Sequence, residues 1–168
     1  NAGGLNPIKR AAYMLYLSCF GFNGLWRTNK KGLLNTPYGG DDRGCALTLR
    51  RLAEVAELLQ GAELYCGHYQ QALGALKASS SVLYADPPYD CGFTSYCGAS
   101  WKASDHAALA SALGAVAAAG SLVVVSNSDT PLTRRLYEGW RLEEIPILHQ
   151  VGGSSTEAKE LLFSRGLS

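Results

Sequence analysis

Apolar side chains recur along the chain at two different spacings, and the change of regime falls near residue 40. Residues 7–20 read as a helix: Pro7 suits the first turn, and Ala12, Leu15 and Tyr16 belong to a dense apolar stripe. The stretch FGFNGLWRTNKKGLLNTPYGG follows, rich in Gly, Asn and aromatic residues, and its central KKG predicts a hairpin with a positively charged tip. After Asp41, helices alternate with short apolar strands. Residues 46–60 carry Leu49, Leu52, Val55, Ala56 and Leu59 at helical spacing, with Gly61 as the stop. The pattern then predicts a strand at 62–66, a helix at 70–78 and a strand at 82–85 ended sharply by Pro87 and Pro88. A helix capped by Ser104-Asp105 runs to Ala119, followed by a buried strand at 122–126 and a helix at 131–137. Strands at 142–148 and 160–164 close the domain. Strands alternating with helices predict an α/β fold with a mostly parallel sheet.

Composition narrows the class. With 168 residues, 47% of them apolar and 17% charged, the chain has the size of one domain and can bury a core, which excludes a disordered or collagen-like polypeptide. No apolar run reaches the roughly 18 residues a membrane span needs, and NAGGLNPIKR lacks the charged-then-apolar order of a signal peptide. Five cysteines without a CxxC pair, and three histidines without ligand spacing, predict neither a metal site nor a disulfide scaffold. A soluble, cytoplasmic domain with no membrane partner is the expectation.

The net charge of +1 hides an asymmetry. Residues 1–40 hold Lys9, Arg10, Arg27, Lys30 and Lys31 and no acid, whereas the other 128 residues hold 10 basic and 14 acidic side chains. A basic lobe of this kind suits a polyanion, because neutralised phosphates release counterions; on charge alone a solvated basic face remains equally open.

The sharpest chemical signal is Ser81-Val-Leu-Tyr-Ala-Asp86-Pro87-Pro88-Tyr89. Ligands of open α/β sheets bind beyond the carboxyl ends of strands, where Asp86 is expected. Two prolines stiffen the turn, remove two N–H donors and leave carbonyls free to accept. A planar amine fits: its N–H bonds point at Asp86 and a proline carbonyl, and its ring stacks on Tyr89. The alternative is a strand-ending turn with a buried tyrosine.

Beyond these local patterns, the chain resembles the DNA adenine methyltransferase (Dam) family. The residues that carry the likeness are YLSCFGFNGLWRTNKKGLLNTPYGG, DPPYDCGFTSYCGASWKASDHAAL, the strand end Ser126-Asn127-Ser-Asp129-Thr130 and Lys159-Glu160-Leu161-Leu162, in the family's order and near its spacing. The resemblance implies transfer of methyl from S-adenosylmethionine to N6 of an adenine flipped out of duplex DNA, in a bacterial or phage-encoded enzyme of the restriction–modification type. It implies that Asp86 and the carbonyl of Pro87, within Asp86-Pro87-Pro88-Tyr89, hold the amine, that Asp86 also contacts the cofactor, and that Tyr89 stacks on the base. Phe22 and Asn23 match base-stack wedges, Leu25, Arg27 and Pro37 match readers of base edges, and Lys30 and Lys31 would track phosphates.

The fold this implies is a partial Rossmann-like class I methyltransferase sheet with a helical and β-hairpin target-recognition subdomain. Residues 1–45 form the DNA target-recognition region and 46–168 an incomplete catalytic α/β region. The family's opening Trp-Lys segment and Phe-x-Gly-x-Gly cofactor loop have no counterpart, since Leu5 follows Ala2-Gly3-Gly4. The sheet is therefore expected to show open edges, with the missing N-terminal part of the same methyltransferase as the partner that completes it. The alternative is a catalytically inactive DNA-binding remnant. A fainter relation of DPPY to glutamine methylation is opposed by the GFNGL and NKKG segments.

Overall fold

The computed structural model describes residues 4, 6–40, 47–76, 81–90, 95–96, 99–151 and 154–166. The chain divides into two compact units, Asn1–Leu64 and Tyr65–Ser168.

In the first unit, helix α1 spans Pro7–Phe20, as its pattern predicted. Asn6 caps it by accepting the N–H of Lys9 at 2.9 Å, and Pro7 occupies a first-turn position where a missing donor costs nothing. A single 3-10 turn, Phe22–Gly24, leads into the hairpin. Asn23 sits there at φ 54°, in the left-handed region that asparagine tolerates better than most residues. The hairpin is held by isolated bridges, Gly21 with Tyr38 and Thr28 with Leu34, rather than by continuous strands. Its tip is a turn at Lys30-Lys31-Gly32, in which Asn29 Oδ1 accepts the N–H groups of Lys31 and Leu33. Helix α2 covers Leu49–Leu58 and is capped by Thr48. It belongs to the first compact unit. The predicted strand at 62–66 does not form. Leu64 and Tyr65 are 79% and 72% exposed, and no described strand pairs with them.

The second unit is a layered α/β structure. Helix α3 spans Tyr69–Ala75, and strand β1 is Val82–Ala85. A short hairpin, β2 (Ser95–Tyr96) with β3 (Ala99–Ser100), was not apparent in the pattern. Helix α4 runs Ala103–Ala118; it starts one residue ahead of the expected cap, and Asp105 accepts the N–H of Lys102 at 2.8 Å. Strand β4 (Leu122–Ser128), helix α5 (Pro131–Leu136), β5 (Arg141–Val151) and β6 (Ser154–Arg165) complete it.

The four-stranded sheet has the order β1-β4-β6-β5. Only β1 and β4 are parallel, which corrects the expectation of a mostly parallel sheet. The cause is topological: α4 carries the chain across from β1 to β4, whereas β5 and β6 follow one another as a long hairpin and must be antiparallel. The core lies between α4 and the sheet, where Leu109, Leu113 and Ala117 meet Val123, Val125, Leu161 and Phe163. Burying a side chain such as Leu113 contributes about 1.5–3 kcal/mol.

Strand β1 stands at a sheet edge. Leu122 N–H donates to the carbonyl of Ser81, and the parallel register pairs Val82 with Leu122 through Ala85 with Val125. In that register positions 81, 83 and 85 spend their backbone groups on β4, so Val82 and Tyr84 turn theirs outward. Their side chains are 70% and 60% exposed.

Cys66 is a free, exposed thiol, whereas Cys19 is disulfide-bonded. That departs from an expectation of reduced thiols that rested only on the absence of paired spacings. Cys91 and Cys97 lie outside the described residues. No described helix is long and apolar enough to cross a membrane.

Candidate active site

Asp86 leaves the carboxyl end of β1 with its side chain exposed, and Pro87, Pro88 and Tyr89 follow half-buried. The residues that end β4 brace this loop at both ends. Ser126, fully buried, donates its hydroxyl to Asp86 Oδ1 at 2.9 Å and accepts the hydroxyl of Tyr84 at 3.0 Å. One carboxylate oxygen is thereby engaged. Asn127 accepts the N–H of Asp90 at 3.1 Å, and Thr130 donates to Asp90 Oδ2 at 2.6 Å. Thr130 is itself locked as the cap of α5, accepting the N–H of Thr133.

Tyr89 is fixed at its far end. Its phenol donates to Glu160 Oε1 at 2.5 Å. Burial, then the hydrogen bond to Glu160, push this phenol far above the ordinary tyrosine range; the charges of Glu160 and Asp86 add to the effect and Ser126 offsets part of it. The group stays protonated at any physiological pH and always serves as a donor.

A cavity of about 510 Å³ opens beside the loop, between α3, α4 and β1. Leu73, Leu83, Leu109 and Leu113 give it apolar walls, Trp101 an aromatic one, and Asp86 with the two prolines its polar rim. Behind Trp101 lies His106, 2% exposed, its ring edge-on to the indole at 5.8 Å. Among the described residues, neither imidazole nitrogen has a hydrogen-bond partner. Burial holds this imidazole below its usual value, against the pull of Asp90 and Asp105. Among the described residues no cluster of histidine, cysteine, aspartate or glutamate could hold a metal ion.

The residues expected to contact DNA all lie on the first unit's hairpin or at its base. Leu25 and Phe22 are exposed, and Pro37 accepts the N–H of Phe22 at 2.8 Å. Lys30 and Lys31 form the tip, with exposed side chains. Arg27 reaches across the hairpin, its Nε to Asn35 Oδ1 at 3.2 Å and its Nη2 to the Asn35 carbonyl at 3.3 Å. The fold thus gathers Phe22, Asn23, Leu25, Arg27, Lys30, Lys31 and Pro37 on one element, and Asp86 to Tyr89 on another. Sequence reasoning assigned no role to Ser126, Asn127, Thr130 or Glu160. Their signal was that they stand in two of the segments that carry the family resemblance, Ser126–Thr130 and Lys159–Leu162.

The class this geometry defines is an α/β domain with a braced polar loop at the carboxyl ends of adjacent parallel strands. Residues 2–151 match the model of the D12 class N6 adenine-specific DNA methyltransferase family, and the chain belongs to that family. A DNA adenine methylase of Vibrio cholerae is 38% identical over 162 residues, 91% of this chain and 58% of that protein. The Retron Ec67 DNA adenine methylase of Escherichia coli is 36% identical over 155 residues, 92% of this chain and 54% of that protein. The DNA adenine methylase of Escherichia coli K12 is 33% identical over 165 residues, 94% of this chain and 59% of that protein. The chain therefore spans somewhat over half the length of these relatives.

Proposed function

We propose that this chain carries the target-recognition and amine-binding portions of a DNA N6-adenine methyltransferase that takes its methyl group from S-adenosylmethionine and acts on double-stranded DNA in the cytoplasm. The observation that carries this reading is the braced strand-end loop, in which Ser126 holds one oxygen of Asp86, Glu160 holds the Tyr89 phenol, and Asp86, Pro87 and Pro88 line the adjoining cavity. An adenine flipped from the duplex is held there by its amino group, with Asp86 and the Pro87 carbonyl accepting the two N–H bonds and Tyr89 stacking on the ring. Fixing both hydrogens aims the nitrogen lone pair, so positioning and a partly dry site supply the rate enhancement without a covalent intermediate. The hairpin of residues 1–45 reads the target: Phe22 and Asn23 wedge the stack, Leu25, Arg27 and Pro37 face base edges, and Lys30 and Lys31 contact phosphates. Arg27 must then exchange Asn35 for a base edge, guanine being the best match to its fork.

The cofactor supplies an electrophilic methyl on a sulfonium centre. Asp86 suits the positive sulfur and the apolar cavity suits a flat ring. Among the described residues, the cavity lining holds no lysine or arginine for the donor's own carboxylate and no second acid for a ribose. That shortfall, the open edge of β1 and the relatives' greater length together support completion of the site by the missing N-terminal part, added as further strands of a Rossmann-like sheet. The same shortfall favours, for this chain by itself, the second reading of a DNA-binding module without chemistry.

Calorimetric titration of S-adenosylmethionine separates the two. Micromolar binding with tritium transfer to adenine N6 in duplex DNA is expected of the completed enzyme. Duplex binding with no heat at millimolar cofactor in the completed protein would leave only the binding module, and label on any other atom would sink the amine assignment.

A further inference from the structure

Glu160 has no evident reason to be where it is unless it acts on Tyr89. It lies on β6 opposite Ser128, half-buried, at the end of the sheet where the loop passes. Its neighbour Lys159 pairs with Glu144 at 2.7 Å, and among the described residues no lysine or arginine pairs with Glu160. A partly buried carboxylate without a cation is costly, and a short hydrogen bond from a phenol is one of the few strong compensations. Securing the loop backbone does not require it. Ser126 already holds Asp86, while Asn127 and Thr130 hold Asp90. What those three contacts leave undetermined is the attitude of the ring between them, and that is what a bond at the phenol oxygen sets.

We propose that Glu160 is a positioning residue for the methyl-transfer reaction: by accepting from the Tyr89 hydroxyl it fixes the plane of the ring on which the target base stacks. This rests on the stacking role of Tyr89 proposed above. It also gives the Tyr89 hydroxyl a role at a position whose working surface is only a ring face. The high-lying phenol keeps the donor in place throughout the working pH range.

The test is a double-mutant cycle on Tyr89→Phe and Glu160→Leu, the leucine carrying no acceptor for the phenol, with circular dichroism confirming that each variant is folded. Two readouts are taken on the chain as it stands. In the first, tyrosine labelled with carbon-13 at Cζ reports the phenol; the Tyr89 line is identified by its loss in Tyr89→Phe, and it should move in Glu160→Leu. In the second, binding of a fluorescent single-stranded oligo(dA) should weaken several-fold in each single variant and no further in the double variant, because both remove one interaction. An unmoved Tyr89 line overturns the proposal. So do additive losses in the cycle, which would make Glu160 an independent structural contributor while leaving stacking intact. If the parent chain fails to bind oligo(dA) while binding duplex, the stacking reading falls and the role of Glu160 falls with it.

Discussion

The two units are stabilised in opposite ways. The second owns a core: α4 lays Leu109, Leu113 and Ala117 on Val123, Val125, Leu161 and Phe163, all nearly inaccessible to solvent. In the first, neither α1 nor α2 buries a single side chain, and Ile8, Met14, Trp26, Leu49 and Leu58 are exposed. Besides the disulfide at Cys19, its order comes from local hydrogen bonds, namely the Asn6 and Thr48 caps, the Asn29 turn and the backbone bonds across the hairpin. The comparison teaches that shape and chemistry are stored separately. On the proposed reading, the groups that hold the base sit on a packed sheet, whereas the groups that follow the duplex sit on an element ordered by local contacts.

The separation can be broken most severely at Asp86. In the completed enzyme, Asp86→Ala should remove methyl transfer, by more than tenfold, while duplex affinity measured by anisotropy stays within a few-fold. Transfer retained above about a tenth of the parent rate would show that the acceptor lies elsewhere.

Next in size is the stability contrast. Leu113→Ala should cost the second unit about 2–5 kcal/mol, the loss of a fully buried leucine plus its cavity. Leu15→Ala in α1 should stay within about 0.5 kcal/mol, as befits a surface change. Urea denaturation of both variants gives the comparison, and equal losses would mean that α1 has a buried face in solution.

A smaller effect separates reading from charge within the first unit. Arg27→Ala should weaken binding by about 1–3 kcal/mol on a cognate duplex only. Lys31→Ala should weaken cognate and unrelated duplexes alike and lower the salt slope by about one. Equal loss on both duplexes for Arg27→Ala would reduce Arg27 to another phosphate contact, or to the Asn35 brace it forms here.

The mildest probe is acid. His106 is depressed by burial, so below the ordinary imidazole value of 6.5 the unfolded chain binds a proton that the folded second unit refuses. Stability should therefore fall as pH drops through that value, and the fall in melting temperature between pH 7 and pH 5 should be shallower in His106→Leu. An unchanged slope would place the acid sensitivity elsewhere.

The legible parts of this fold are those whose cause is local. Pro7 and the turn at Gly21 delimit α1, and the Pro87-Pro88 pair ends β1, so both elements fall where the pattern puts them. The strand at 62–66 failed because a strand is a property of its neighbour, and no described strand lies beside it. Sheet direction failed in part because the β5–β6 hairpin is decided by the connection and not by either strand's composition. At the candidate site, Asp86 and Tyr89 were singled out through the turn that bears them. Ser126 and Glu160 stood within the family-like segments but without a role, because they meet those residues from 40 and 71 positions away, a distance that no spacing rule spans.

The outward-turned backbone of Val82 and Tyr84 has a practical side. Among the described residues no strand covers this edge, and an uncharged strand edge without proline or lysine is a template for other strands; the two side chains flanking it are an aliphatic and an aromatic group. Self-association there would be second order in protein, so losses on concentrating the sample would grow faster than its concentration and would show first as light scattering, well before any change in helix content. A single lysine at position 82 would place a gatekeeper charge on that edge without touching the bonds to β4.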